Sequence, residues 1–102
     1  MVLIDFSIYP IGKGESLSRY VSRAVDIIAR SKLSYKVGPM GTTIEGAWDD
    51  LFGVVKKCFN EMKKDCHRID FHIKGDYRKG RRGAIQTKVQ SVEKRLRQPI
   101  KK

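Results

Sequence analysis

Gly38-Pro39-Met40-Gly41-Thr42-Thr43-Ile44-Glu45-Gly46 is the stretch on which the fold of this chain turns. Two short extended runs, residues 33–37 and 42–45, meet at its Gly- and Pro-rich turn and read as a hairpin. Thr43 and Glu45 lie two residues apart, so both point off the same sheet face. A hydroxyl and a carboxylate are costly to bury without partners. A polar ligand is one way to satisfy them; solvent and cross-strand pairs are the other.

Working outward, Val2-Leu3-Ile4-Asp5-Phe6-Ser7-Ile8-Tyr9 alternates between an apolar face (Val2, Ile4, Phe6, Ile8) and a mixed one. That is a strand with one side on a core. Pro10 and Gly12-Lys13-Gly14 end it. Ser16 is placed to cap a helix running to about residue 30, with Leu17, Tyr20, Val21, Ala24, Ile27 and Ile28 as its stripe. After the hairpin, a second helix spans about 47–64. Trp48, Leu51, Phe52, Val55, Cys58, Phe59 and Met62 form its stripe, with Asp49 and Asp50 at its positive end. Residues 67–74 alternate again, with Ile69, Phe71 and Ile73 on one side and Asp70, His72 and Lys74 on the other. A Gly, Lys and Arg loop over 75–83 leads to a last helix at about 84–97 (stripe Ile85, Val89, Val92, Leu96) and a frayed basic tail, 98–102.

The order β-α-β-β-α-β-α predicts one α+β domain over residues 1–102. It is a ferredoxin-like βαββαβ antiparallel sheet with two helices on one face, plus a C-terminal helix. The other face would carry Leu3, Asp5, Ser7, Tyr9, Thr43, Glu45, Asp70 and His72, with either Tyr35 or Lys36. That face is solvated, pairs with another subunit or lines a ligand site.

The chain has 102 residues and a net charge of +11. Residues 1–51 hold six basic and six acidic side chains, and residues 52–102 hold sixteen and five. The whole excess therefore sits in the second half, which favours a polyanionic partner or a solvated lysine-rich surface. No apolar run approaches the roughly 20 residues of a membrane span. No signal peptide is apparent at the N-terminus, so a cytoplasmic protein is expected. Cys58 and Cys66 form no CxxC and read as reduced packing thiols.

With these pieces in place, the chain resembles the small thiamine-binding protein family of ferredoxin-like fold, formerly grouped as an uncharacterised family. The resemblance rests on Ser7-Ile8-Tyr9-Pro10-Ile11-Gly12, on Ser16 to Tyr20, and above all on Tyr35-Lys36-Val37 followed by the Gly38–Gly46 segment. Cys58, Arg68, Ile73-Lys74-Gly75-Asp76-Tyr77-Arg78 and Lys88-Val89-Gln90-Ser91-Val92-Glu93 support it. It implies a non-catalytic cytoplasmic protein that assembles as a homodimer or homotetramer through its sheets. Its ligand would be thiamine or the hydroxymethylpyrimidine moiety, held between sheet and neighbour. No metal and no catalytic cofactor are implied.

Chemically, Glu45 would accept from the amino group or a protonated ring nitrogen of an aminopyrimidine. Thr43, Thr42 or Ser7 would serve the remaining ring atoms, Tyr35 or Met40 would pack on the ring face, and Gly38 and Gly41 would allow close approach. Thiamine is a cation and the chain is basic, a conflict that a neutral pyrimidine or a pyrophosphorylated thiamine avoids. In the second case Arg78, Lys79, Arg81 and Arg82 would meet phosphate; otherwise they form a solvated loop.

Other classes carry weaker signals. His67 and His72 fall on opposite strand faces, and Cys66 and His67 diverge, so neither pair makes a metal cluster. Asp5 and Asp70 would hold Mg²⁺ only if they met, as in small nucleases of this fold. Ser16 and Ser18 have no visible base. Nucleic-acid binding, RNA above all, through the basic C-terminal half is the alternative function. Its weak point is that Phe6 and Phe71 fall on the helix-facing side, leaving few aromatics to stack bases.

Overall fold

The computed structural model describes residues 1–101. Its elements are β1 (Val2–Pro10), α1 (Ser18–Arg30), β2 (Ser34–Val37), β3 (Thr42–Gly46), α2 (Trp48–Lys63), β4 (Ile69–Tyr77) and α3 (Ala84–Leu96). The sheet order is β2-β3-β1-β4, every neighbouring pair antiparallel. This is the expected ferredoxin-like arrangement: each crossover helix skips one strand, and α1 and α2 cover one face.

Alternation in β1 sets the core. Val2, Ile4, Phe6 and Ile8 are buried, and Ile4 and Ile44 face each other across β1 and β3. From α1 come Tyr20, Ala24 and Ile28, and from α2 Leu51, Val54, Cys58 and Met62, at the three- and four-residue spacing of one helical face. Small residues let the helices approach: the Cys58 thiol donates to the Ala24 carbonyl at 3.6 Å. Burial pushes that thiol up to about 11, so it remains protonated and unreactive at neutral pH. Arg23 ties the helices at the surface, donating to Asp65 at 3.0 Å and to the Glu61 carbonyl at 2.8 Å.

Several local expectations change. Helix α1 starts at Ser18, and Ser16 supplies no cap; the residue before the helix is Leu17, with no side-chain capping bond. Trp48, the first residue of α2, is 62% exposed rather than buried; it packs on Phe52 with ring centres 4.4 Å apart. Strand β4 runs on through Gly75 to Tyr77, into the segment expected to be loop. Backbone pairing with β1 continues there, Gly75 opposite Ile4 and Tyr77 opposite Val2. Phe71 faces the helix side on the outer strand and meets Phe59 of α2 edge-on, ring centres 6.5 Å apart, but is 52% exposed because nothing covers its other side. The tail is tied back rather than frayed over residues 98–100: the Ile100 N–H donates to Glu93 Oε2 at 3.1 Å and the Gln98 N–H to the Glu93 carbonyl. Lys102 lies outside the described residues. Among the described residues no helix is long and apolar enough to cross a membrane.

Candidate functional site

The hairpin delivers its side chains to both faces of the sheet. Val37 pairs with Thr42 and Tyr35 with Ile44, and these lie opposite Phe6 and Ile4, so all four point to the helix side. Lys36 pairs with Thr43 and Ser34 with Glu45, opposite Asp5 and Leu3, so these point to the other face. The open choice between Tyr35 and Lys36 is therefore settled for Lys36. A register shift of one residue would have exchanged the two sets.

The turn itself is closed by the Gly38 N–H donating to the Gly41 carbonyl at 2.8 Å. A Cβ on Gly41 would stand 3.1 Å from Asp5 Oδ1 and 3.2 Å from the Phe6 carbonyl oxygen. Glycine is needed at 41 because the hairpin end presses against β1.

On the helix side this turn overhangs a cleft of about 370 Å³. Residues 37–42 form one wall, residues 6–9 of β1 the floor, and Leu17, Val21, Ala24, Val25 and Ile28 of α1 the other wall. Among the described residues no charged side chain lines it. Thr42 is 5% exposed, and its hydroxyl makes no hydrogen bond among the described residues; Met40, 88% exposed, stands at the mouth. The volume and the largely apolar lining with few polar groups are those of a small-ligand pocket. Of the residues singled out in the sequence, Ser7, Met40 and Thr42 line this cleft.

Thr43 lines a second cleft, on the opposite face under α3. Tyr35 lines neither and is half-exposed on the edge strand. Glu45 corrects the clearest chemical expectation. It is 4% exposed, and both its carboxylate oxygens accept from the Ala84 N–H, at 3.1 and 2.9 Å. The residue before α3, Gly83, has φ of 68° and no side chain to cap with, so Glu45 caps the helix from across the sheet. Its charge is spent on the fold and not on either cleft.

The basic loop is also partly committed. Arg81 Nη1 donates to Asp76 Oδ2 at 2.9 Å, and Lys88 Nζ lies 2.6 Å from the same oxygen. These two cations hold the Asp76 carboxyl well below its ordinary range, at about 2. Arg78, Lys79 and Arg82 enter no ion pair among the described residues. Asp5 and Asp70 do not meet: Asp5 is opposite Lys74 and Asp70 opposite Tyr9, four positions along the strand, about 13 Å. Asp70 instead accepts from the Tyr9 hydroxyl at 2.8 Å, with His72 Nε2 3.2 Å away. These bonds lower the Asp70 carboxyl and raise the Tyr9 phenol. The wall of α1 was missed as a site because its periodicity reads as core; the only trace was Val25, an apolar residue off the stripe.

The fold and this cleft define a single ferredoxin-like α+β domain with an uncharged pocket beside a glycine-rich hairpin. The chain belongs to the thiamine-binding protein family, whose model matches residues 4–93. It is 31% identical over 91 residues to protein MJ1052 of Methanocaldococcus jannaschii, covering 89% of this chain and 91% of that one. It is 34% identical to YqgV of Bacillus subtilis, covering 94% and 98%. The crystal structure of MJ1052 superposes with a TM-score of 0.83, covering 89% of this chain and 94% of that one. A Thermotoga maritima protein, TM0486, described as a candidate in thiamine biosynthesis or salvage, superposes at 0.79 with 25% identity, covering 89% and 97%.

Proposed function

We propose that this protein binds thiamine or its hydroxymethylpyrimidine moiety in the cleft between α1 and the hairpin turn, and that it holds or delivers the ligand without making or breaking a bond. The observation that carries this reading is that residues 37–42, the core of the family-like motif, form one wall of an uncharged cleft of about 370 Å³. A flat aminopyrimidine suits two apolar walls, with Thr42 and turn backbone as hydrogen-bond partners. The absence of a lining cation removes the local conflict with a thiazolium, which would sit at the mouth near Met40.

Self-association belongs to the same reading. Val92 and Leu96 of α3 are 49% and 54% exposed, and the outer edge of β4 is unpaired within the chain, which together favour a homodimer or homotetramer. Light scattering at a mass near one chain would remove that part.

The test is calorimetric titration with thiamine, hydroxymethylpyrimidine and thiamine pyrophosphate, with a single-stranded RNA as control. Saturable vitamin binding near micromolar, about −8 kcal/mol, is expected. Val21→Trp, which fills the mouth from an exposed position, should weaken it at least tenfold. Silence from all three vitamins, with steeply salt-dependent RNA binding, would transfer the function to the basic C-terminal half.

A further inference from the structure

The second cleft has a chemistry opposite to the first. It also measures about 370 Å³ but lies on the other face of the sheet, between the strands and α3. One row across the sheet runs Lys36, Thr43, Asp5, Lys74, from β2 through β3 and β1 to β4. Lys88 of α3 closes the row from above, and Ile85 and Val89 form an apolar roof. Among the described residues Lys36 and Lys74 enter no ion pair.

The charge count decides the sign of the ligand. The carboxylates are Asp5 and Asp76, and Asp76 is held by Arg81 at 2.9 Å and Lys88 at 2.6 Å. Lys36 and Lys88 are shared with a contiguous shallow groove that adds Lys101. Three lysines, Lys36, Lys74 and Lys88, thus line the cleft beside two carboxylates, and Lys101 stands in the adjoining groove. Asp5 is the one repulsive group, and its Oδ1 turns toward Gly41, at the hairpin end. In a partly enclosed space, lysine ammoniums act as point charges well suited to a phosphate, and the Thr43 hydroxyl between them can donate.

We propose that this cleft is a separate binding site for a small phosphomonoester carried on an apolar group, the phosphate between Lys36 and Lys74 and the apolar part against Ile85 and Val89. The site is independent of vitamin binding on the other face.

The experiment is an amide-resolved NMR titration of the full chain with phenyl phosphate, with inorganic phosphate and benzyl alcohol as half-probes and thiamine as a probe of the opposite face. Phenyl phosphate should shift Thr43, Lys74, Ile85 and Val89 saturably, at least fivefold more tightly than either half-probe. The exposed-site variants Lys36→Gln and Lys74→Gln should each weaken it three- to tenfold while leaving the spectrum folded. Saturation confined to residues 78–82, no saturation, or wild-type affinity in both variants would overturn the site. Thiamine shifting these residues rather than 37–42 and α1 would also overturn it, by giving the cleft to the vitamin; thiamine silence would count only against the first cleft.

Discussion

The two faces of the sheet show what a shared backbone can do with different neighbours. The face under α1 and α2 is a continuous core, with Ile4, Ile28, Ile44, Leu51, Cys58 and Met62 at or near zero exposure. It opens at the hairpin turn, where a neutral cleft remains, and more shallowly between α2 and β4 at Phe52, Phe59 and Phe71. The face under α3 is charged, and α3 touches it chiefly through its first turn, where Ala84 and Ile85 are buried but Val92 and Leu96 are not. One face is held by area removed from water, the other by directional polar bonds. The first is therefore expected to fail chiefly by cavities, and the second chiefly when a charge is lost.

The largest effect should come from the core face. Ile44→Ala is expected to cost about 2–5 kcal/mol, the range for deleting a fully buried aliphatic side chain, measured by urea unfolding. A smaller loss would mean that the face relaxes around the cavity. Next is Glu45→Ala, which leaves the first turn of α3 without its cap. About 1–3 kcal/mol is expected, with α3 amides losing exchange protection and thiamine affinity changing less than twofold. Parallel loss of vitamin binding would return Glu45 to the ligand site and merge the two faces.

Acid should separate the faces further. The folded-state carboxyl of Asp76 is depressed from 3.8 to about 2, so its contribution is present above the unfolded value and is lost as pH falls through the window from about 4 to 2. Because Asp76 joins Arg81 and Lys88, α3 signals should change in that window before the α1 and α2 core does, as read by residue-resolved NMR. Simultaneous loss of all elements would mean that α3 docking is not a separable unit. The smallest effect belongs to Trp48→Ser, expected within about 0.5 kcal/mol because the ring is largely in water; a loss above 1 kcal/mol would show that its stacking on Phe52 anchors α2.

Much of this was legible in the chain. The alternation of Val2, Ile4, Phe6 and Ile8 and the stripe of Tyr20, Ala24 and Ile28 are local periodicities, and burying them on one face leads to the βαββαβ plan. Gly38 and Gly41 also announced a tight hairpin, since a turn is a short-range object. The cleft on the helix side was not legible: Val21 and Val25 look like any helix residues until the turn is set against them. The role of Glu45 was misread for the same reason.

By itself, then, the sequence determined which residues alternate, where the chain turns and that the positive charge lies in the second half, because each depends on neighbours within a few positions. Tertiary structure alone decided that Thr42 and Thr43 serve opposite clefts, that Glu45 caps a helix 39 residues away, and that Asp76 gathers Arg81 and Lys88. Those outcomes rest on strand register and on the docking of α3, which bring together groups that share no local pattern.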